Sequence, residues 1–347
     1  MTDTILQVRP DDQKAMAQVD GLLAQEGICR DRNLDYTCAA YNGVGDIIAT
    51  GSCFGNSLRC LAVRKNCQGT GLLNQIVTHL INIQHTRGNV HLFLCTKPSA
   101  TPYFEDLGFY EIARAADSLV FMENRRQGFS RYLQDLQQTS RPGRSAALVM
   151  NSNPFTLGHQ YLVETAASSC DTLHLFLLSE DRSLVPFSVR RRLAADGTAH
   201  LPNVILHDSG PYIISSATFP SYFLKDDAAA AESHARLDLA IFRRIAGALS
   251  ITARYVGEEP DSPVTNRYNQ IMSAELPKAG IRCVIVPRKA LNGVPISAST
   301  VRKHLKAGDF SAVKALVPPA VFDYFTSAEA KPVIDRIRQA GTVSHDW

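Results

Sequence analysis

The chain has no run of apolar residues that approaches the length of a membrane-spanning helix, about 20 residues, so membrane insertion as a helix is not expected. Its first residues, Met1-Thr2-Asp3-Thr4-Ile5, lack the basic region and apolar core of a secretory signal. Excess charge is missing too. Lys and Arg number 36 against 33 Asp and Glu, a net charge of +3. No basic tail invites nucleic acid, and no acidic tract reads as disordered. There is no internal repeat and no low-complexity segment. The eight cysteines (Cys29, Cys38, Cys53, Cys60, Cys67, Cys95, Cys170 and Cys283) form no C-x-x-C pair, and no His cluster completes a zinc pattern. A protein-held metal is therefore not expected. Several cysteines lie in apolar runs, as Cys95 does in His91–Cys95, and read as buried free thiols of a reducing cytoplasm rather than as nucleophiles.

A length of 347 residues suits two domains. Residues 1–123 read as a mixed α/β unit. A strand at Ile5–Val8 and a helix at Asp11–Glu26 precede an antiparallel meander (36–41, 46–53, 57–63), with turns at Asn42-Gly43 and Gly55-Asn56. Gly71–His85 carries the apolar spacing of a helix, Val90–Cys95 that of a buried strand, and a short helix and strand pair follow. Residues 124–144 are a helix and a linker ending in Ser140-Arg141-Pro142-Gly143-Arg144. Residues 145–327 alternate strand and helix, with strands near 146–150, 172–178, 203–207, 252–256 and 281–286. Helices fall near 158–169, 187–198, 263–276 and 298–307. This predicts an α/β fold with a doubly wound parallel sheet. Residues 212–250 interrupt the alternation as an insertion, a lid or a packing arm, and 328–347 form a terminal helix and tail.

Chemistry is concentrated in the parallel-sheet half. The apolar run Ala146–Met150 leads into Asn151-Ser152-Asn153-Pro154-Phe155-Thr156-Leu157-Gly158-His159, a strand, a polar turn and a helix start. Free N–H groups and the positive helix end then meet at the carboxyl edge of a sheet, where phosphate binds. Gly158 permits close approach, and His159 can donate a hydrogen bond. A plain corner capped by Asn151 or Asn153 is the bland alternative. A second string, Ile296-Ser297-Ala298-Ser299-Thr300-Val301-Arg302-Lys303, sets hydroxyls and cations at another helix start. Ser297 or Ser299 could be an ordinary cap. Cations there oppose the helix dipole unless an anion is bound, so two such starts favour a nucleotide triphosphate site.

In the first half, Val63-Arg64-Lys65-Asn66-Cys67-Gln68-Gly69-Thr70-Gly71 runs from a strand through a glycine loop to a helix. It is either a plain loop or a cradle for a pyrophosphate. Other polar residues have two readings each. His207 is a structural histidine or a base. Arg190-Arg191-Arg192 is a solvated face or a grip for phosphate or an acidic carrier. Glu258 and Glu259, at a strand's carboxyl end, touch ribose or metal or simply begin a turn.

Thr156-Leu157-Gly158-His159 and Ile296–Arg302 resemble the (H/T)-x-G-H and I-S-S-T-x-x-R signatures of the nucleotidyltransferase superfamily, over residues 145–327. Phe187–Leu193 is similar to the basic helix of phosphopantetheine adenylyltransferases. The glycine loop, with Pro102–Phe109, resembles the acyl-CoA-dependent N-acetyltransferases (GNAT), with Asn66 where Gln or Arg is usual. Together with Val256–Pro260 and Val264–Asn269, the whole chain resembles the citrate lyase ligase family. The resemblance implies that ATP and acetate give acetyl-AMP. The acetyl group would then pass to the thiol of the phosphoribosyl-dephospho-CoA prosthetic group on the acyl carrier (gamma) subunit of citrate lyase. It implies His159, Thr156 and Arg302 as catalytic groups. ATP would be bound by Asn151, Asn153, Gly158, His159, Glu258, Ser297 and Ser299, with Mg2+ bridging phosphates. Val63, Gln68, Gly69 and Gly71 would receive the prosthetic group. The rival readings are an adenylyltransferase for a CoA-precursor acceptor fused to a true acetyltransferase, and a non-catalytic ligand sensor.

Overall fold

The structure, a computed structural model, describes residues 4–31, 33–115, 118–213, 227–258 and 263–341. The chain divides into two compact units, Met1–Arg131 with Thr218–Ala240, and Tyr132–Ala217 with Ile241–Trp347. Both are helices packed on a sheet, the α/β class expected.

In the first unit β1 (Thr4–Gln7) leads to α1 (Gln13–Gln25), whose cap Asp12 accepts the Ala15 N–H at 3.0 Å. Then come β2 (Tyr36–Tyr41), β3 (Ile47–Phe54), β4 (Ser57–Val63), α2 (Leu72–Thr86), β5 (Phe93–Thr96), α3 (Thr101–Glu105), β6 (Tyr110–Ala115), β7 (Leu119–Glu123) and α4 (Gly128–Gln137). The sheet order is β1-β2-β3-β4-β5-β7-β6. All neighbours are antiparallel except β4 and β5, which pair in parallel only at Ser57↔Phe93 and Leu58↔Leu94. Past that point the two strands part. Alternate residues of a strand face opposite sides. Cys38 and Ala40 meet the α2 residues Ile76, Val77 and Leu80, while Ala39 lies with Val19, Leu22 and Leu23 of α1. Both faces are thus covered, which explains why β2 is buried along most of its length. The turn expected at Asn42-Gly43 is instead a longer loop. The Asn42 side-chain oxygen accepts the N–H groups of Val44 and Asp46 at 3.1 and 2.8 Å, and Gly45 takes the left-handed backbone. All eight cysteines are free. Burial pushes the Cys38, Cys53, Cys60 and Cys95 thiols up to about 12.

The second unit begins with β8 (Ser145–Met150), α5 (Leu157–Ala167), β9 (Thr172–Leu177), α6 (Phe187–Thr198) and β10 (Val204–Asp208). It continues with α7 (Asp227–Leu249), β11 (Ile251–Gly257), α8 (Pro263–Glu275), β12 (Arg282–Val286) and a hairpin, β13 (Ala290–Leu291) and β14 (Val294–Pro295). Helices α9 (Ala298–Ala307), α10 (Phe310–Leu316), α11 (Pro319–Thr326) and α12 (Lys331–Gln339) complete it. The division into units assigns the amino-terminal part of α7 to the first unit. The sheet order is β10-β9-β8-β11-β12, with every pairing parallel. The chain steps outward from β8 to β9 and β10, then returns to build β11 and β12 on the other side. The order therefore reverses between β8 and β11, the place where open α/β sheets form a crevice at the carboxyl ends of their strands. The hairpin and the helices α10 and α11 were not expected from periodicity; two-residue strands are too short to carry one. Residues 214–226 of the expected insertion, and Glu259, lie outside the described residues. Among the described residues no helix is long and apolar enough to cross a membrane.

His207 is buried on this sheet. Its Nε2 lies 2.9 Å from Nδ1 of the buried His174, and its ring stacks on Phe176 at 4.8 Å. Of the two readings of His207, the geometry favours the structural one. Burial lowers both histidines to about 4; the nearby Arg141 adds to this at His174, and His174 adds to it at His207. One nitrogen of the contact must accept, so a doubly charged pair would place two donors face to face. Above pH 6.5 the rings are neutral in folded and unfolded chains alike. As pH falls from 6.5 towards 4, the unfolded chain takes up protons that the folded chain refuses, and stability drops. We expect a loss on the order of a few kcal/mol over that window, measured by urea unfolding. Nitrogen shifts should show both rings neutral at pH 5.5; a protonated ring there would contradict the assignment.

Candidate active site

The loop after β8 is fixed by two fully buried arginines. Arg190 of α6 spends its whole guanidinium on carbonyls. Nε donates to Val185 at 3.0 Å, Nη1 to Asn151 and Leu178 at 2.8 and 2.9 Å, and Nη2 to Glu180 at 2.7 Å. Burial lowers it to about 10, so it stays charged at neutral pH. Arg302 of α9 donates through Nη1 to the Asn153 carbonyl at 2.6 Å. The asparagine side chains are also engaged. Asn151 Nδ2 donates to Ser183 Oγ at 3.0 Å, and Asn153 Oδ1 accepts the Val185 N–H at 3.0 Å. Neither asparagine is the cap of α5. That role falls to Thr156, with an extended backbone and Oγ1 accepting the His159 N–H at 3.3 Å. Phe155 is buried with its ring against Gly197 of α6, where an added Cβ would lie 2.5 Å from it.

The half-buried His159 completes a reciprocal capping box. Its Nδ1 accepts the Thr156 N–H at 3.1 Å and lies 2.9 Å from Thr156 Oγ1. This position usually holds Glu or Gln. An Nδ1 that accepts leaves the neutral ring's proton on Nε2, so His159 offers a donor with a fixed tautomer. Burial first, and the positive Arg288 second, lower its pKa to about 4. At neutral pH it is an uncharged hydrogen-bond donor and not a cation.

The second helix start adjoins the first. The nearest atom to a Cβ built on Gly158 is the Ile296 carbonyl oxygen, at 3.0 Å. The sequence suggested that Gly158 makes room for a ligand; in the structure it makes room for the strand of chain leading into α9. Ser297 caps α9, accepting the Thr300 N–H at 3.1 Å, and its Oγ lies 2.9 Å from Ser299 Oγ and 2.8 Å from Thr300 Oγ1. Three hydroxyls thus gather at one helix end. Across the switch point the exposed Glu258 directly follows β11, its N–H donating to the Val286 carbonyl and its own carbonyl accepting Arg288 Nε at 2.8 Å. Asn269 supports the same edge, donating to the Gly257 carbonyl at 3.1 Å.

Comparison with known proteins follows the same outline. The sequence profile of the citrate lyase ligase C-terminal domain matches residues 145–325, just over half the chain. A citrate (pro-3S)-lyase ligase of Klebsiella pneumoniae is 43% identical over 284 residues, covering 80% of this chain and 83% of its own. Those of Haemophilus influenzae and Escherichia coli K12 are 38% and 36% identical, covering 90% and 93% of this chain and 96% and 93% of theirs. The chain belongs to the citrate lyase ligase family. In this member of the family, Asn151, Asn153, Thr156, Gly158, His159, Ser297, Ser299 and Arg302 come from two sequence-distant strings that the packing of Gly158 on Ile296 and the Arg302–Asn153 bond bring together.

The predicted residues of the first unit lie at the end of β4 and on the loop between β4 and α2. Gln68 Nε2 donates to the carbonyl of Val63, the last residue of β4, at 3.1 Å. Gly69 and Gly71 have φ of +79° and +84°, and nothing lies within 4 Å of a Cβ built on either. Glycine serves the backbone conformation there, and the space above stays open. Two residues of the second unit escaped the sequence reading. Arg190 seemed one of three equivalent cations, yet it shares the core-facing spacing of Leu193, Ala194 and Gly197. That spacing was the available signal. Arg191 and Arg192 pair at the half-exposed surface with Asp208 and Glu329. Arg288 gave no signal beyond its place after a strand.

Gly158→Ala tests the joint between the two strings. The alanine favours the helix, by about 1 kcal/mol, but its methyl presses on the Ile296 backbone. We expect stability in urea within about 1 kcal/mol of wild type and a turnover roughly tenfold lower through displaced groups; unchanged turnover would show that the joint tolerates movement.

Proposed function

We propose that the second unit activates acetate with ATP, giving acetyl-AMP and pyrophosphate. The acetyl group then passes to the thiol of the phosphoribosyl-dephospho-CoA prosthetic group on the acyl carrier (gamma) subunit of citrate lyase. The observation that carries the reading is His159: a neutral donor of fixed tautomer at the start of one helix, joined to a hydroxyl-rich start of another.

Acetate is ionised at neutral pH, so its attack on the α-phosphorus needs no base. An acetate oxygen bonds to phosphorus while the bond to the bridging oxygen breaks, and pyrophosphate leaves with that electron pair. The obstacle is one anion approaching another, which positioned donors and positive potential reduce. In the proposed complex His159 Nε2–H and the first N–H groups of α5 donate to phosphate oxygens, and Thr156 holds the ring in place. The Asn151 carbonyl is turned to Arg190, so the Ser152 N–H of the same trans peptide points away from Arg190, and the proposal assigns it to the ligand. Ser297 and Ser299 meet the β- and γ-phosphates. Arg302 supplies charge and holds the Asn153 carbonyl, and direct contact with phosphate requires it to leave that carbonyl. Asn151 and Asn153 shape the loop, and Glu258 is assigned to the ribose. Among the described residues no group of three or more His, Cys, Asp or Glu could hold a metal. Mg2+ enters the proposal as a companion of ATP, neutralising phosphate charge. In the second step a thiolate attacks the acetyl carbon and AMP leaves.

For the first unit, the proposal is that Val63, Gln68, Gly69 and Gly71 receive the pyrophosphate of the prosthetic group at the start of α2. The parting of β4 and β5 next to this loop offers a slot for the extended arm behind it.

Acetate-dependent exchange of labelled pyrophosphate into ATP tests the central claim; exchange that needs a CoA-precursor acceptor instead would replace it. His159→Ala should lower exchange about 100- to 1,000-fold, the effect of removing one donor to a developing oxyanion. Because its pKa in the ligand-free fold is about 4, this group should leave the wild-type kcat/KM flat between pH 6 and 8. Gly71→Ala, forced into a left-handed backbone, should slow transfer to the carrier more than it slows exchange; equal effects on both would separate this loop from the transfer step.

A further inference from the structure

The buried arginines and their bonds account for Asn151 and Asn153, but not for the residue between them. Ser152 is 1% exposed, and its Oγ has no hydrogen-bond partner in the chain. Its φ is +49°, a left-handed backbone that glycine adopts freely and serine does not. Each feature occurs elsewhere, but separately. Cys60, Ser250 and Asn292 also have left-handed backbones, and none of them leaves a buried side-chain oxygen or nitrogen without a partner. Thr101, Ser145 and His174 each leave such an atom, on ordinary backbone. Among the described residues only Ser152 combines the two. It does so at the carboxyl end of the central strand, where the guanidinium groups of Arg190 and Arg302 hold the carbonyls on either side.

An unfavourable conformation and an unsatisfied hydroxyl at one residue lower stability with no return inside the folded chain. Such residues gather at functional sites, where the surroundings hold them in place. Here those surroundings are the two clamps. A hydroxyl held dry and without an acceptor is prepared for an acceptor that arrives with a ligand, and its bond to an oxyanion is charge-assisted and strong where water is excluded.

We propose that Ser152 is a substrate-binding residue whose hydroxyl donates to an anionic oxygen of the ligand, phosphate or carboxylate, when the loop adjusts around it. The inference rests on the nucleotide reading of this loop given above. Ser152→Gly and Ser152→Ala in the full-length chain test it through three measurements: thermal unfolding without ligand, calorimetric binding of ATP alone, and the separate dependence of pyrophosphate exchange on ATP and acetate. Ser152→Gly should unfold at or above the wild-type temperature, since it removes both the unsatisfied hydroxyl and the backbone penalty. Its exchange kcat/KM should nevertheless fall at least tenfold. A loss seen in ATP binding and in the KM for ATP identifies phosphate as the acceptor; a loss confined to the KM for acetate identifies the carboxylate. Ser152→Ala should show the same loss of exchange. Variant kinetics within twofold of wild type would overturn the inference, as would activity and unfolding temperature falling together in both variants, the mark of a structural role. If the wild-type chain shows no exchange at all, the nucleotide reading fails and this inference with it. Full exchange in wild type and variants alike leaves that reading standing and removes the inference alone.

Discussion

Two buried guanidinium groups hold the loop on which the carboxyl edge of the parallel sheet is built. Arg190 takes four carbonyl oxygens and Arg302 takes the carbonyl of Asn153. Bringing a charge into the interior costs several kcal/mol even after relaxation, and charge-assisted bonds to aligned carbonyl dipoles offset that. The arrangement has no apolar substitute. A methionine of similar length at 190 would leave up to four carbonyls without that donor, each worth about 1–3 kcal/mol if buried and unsatisfied. The consequence lies in the opposite halves of the same peptides. The Asn151 carbonyl drawn inward leaves the Ser152 N–H of the same peptide facing away, whereas Asn153 and Val185 precede prolines and their peptides carry no N–H.

Within that frame the histidine is tuned by its neighbours. A capping box built with His in place of Glu or Gln engages one ring nitrogen and leaves the other as a donor. Burial and Arg288 then keep the ring neutral in the ligand-free chain. Bound phosphate would push the other way and favour the charged ring, so the imidazole would begin neutral and gain positive character only when an anion is present. The helix ends and clamps contribute the fixed part of the field.

The parallel-sheet half was largely legible in the sequence. The bounds of α6 and α9 match the expected helices: α6 starts directly after Pro186 and keeps its apolar spacing, and α9 has a serine cap and a glycine stop at Gly308. Strand and helix alternation was enough to imply the sheet class. What remained hidden was the use of individual side chains. Arg190 and Arg191 are adjacent and chemically identical, yet one is buried on four carbonyls and the other pairs with Asp208 near solvent. Only the helical phase distinguishes them. Gly158 invited a ligand-based explanation, whereas its neighbour is a carbonyl from a string more than a hundred residues later, a contact that no local pattern encodes. The Asn42 loop differs from the expected turn because one side-chain amide satisfies two N–H groups and extends it.

The placement of sulfur in the chain bears on the fate of a mixed anhydride. Acetyl-AMP would acylate any exposed thiolate within reach, including one belonging to the enzyme. The second unit contains two cysteines, Cys170 just before β9 and Cys283 near the start of β12, both towards the amino edge of the sheet. The opposite edge, where the anhydride would form, has none in any of the loops that follow its strands. Cys170 is buried, with burial raising its pKa. An activated acyl group held at that opposite edge would meet no cysteine thiol in the loops that follow the strands of its own unit, and capture by a visiting thiol would be favoured over self-acylation.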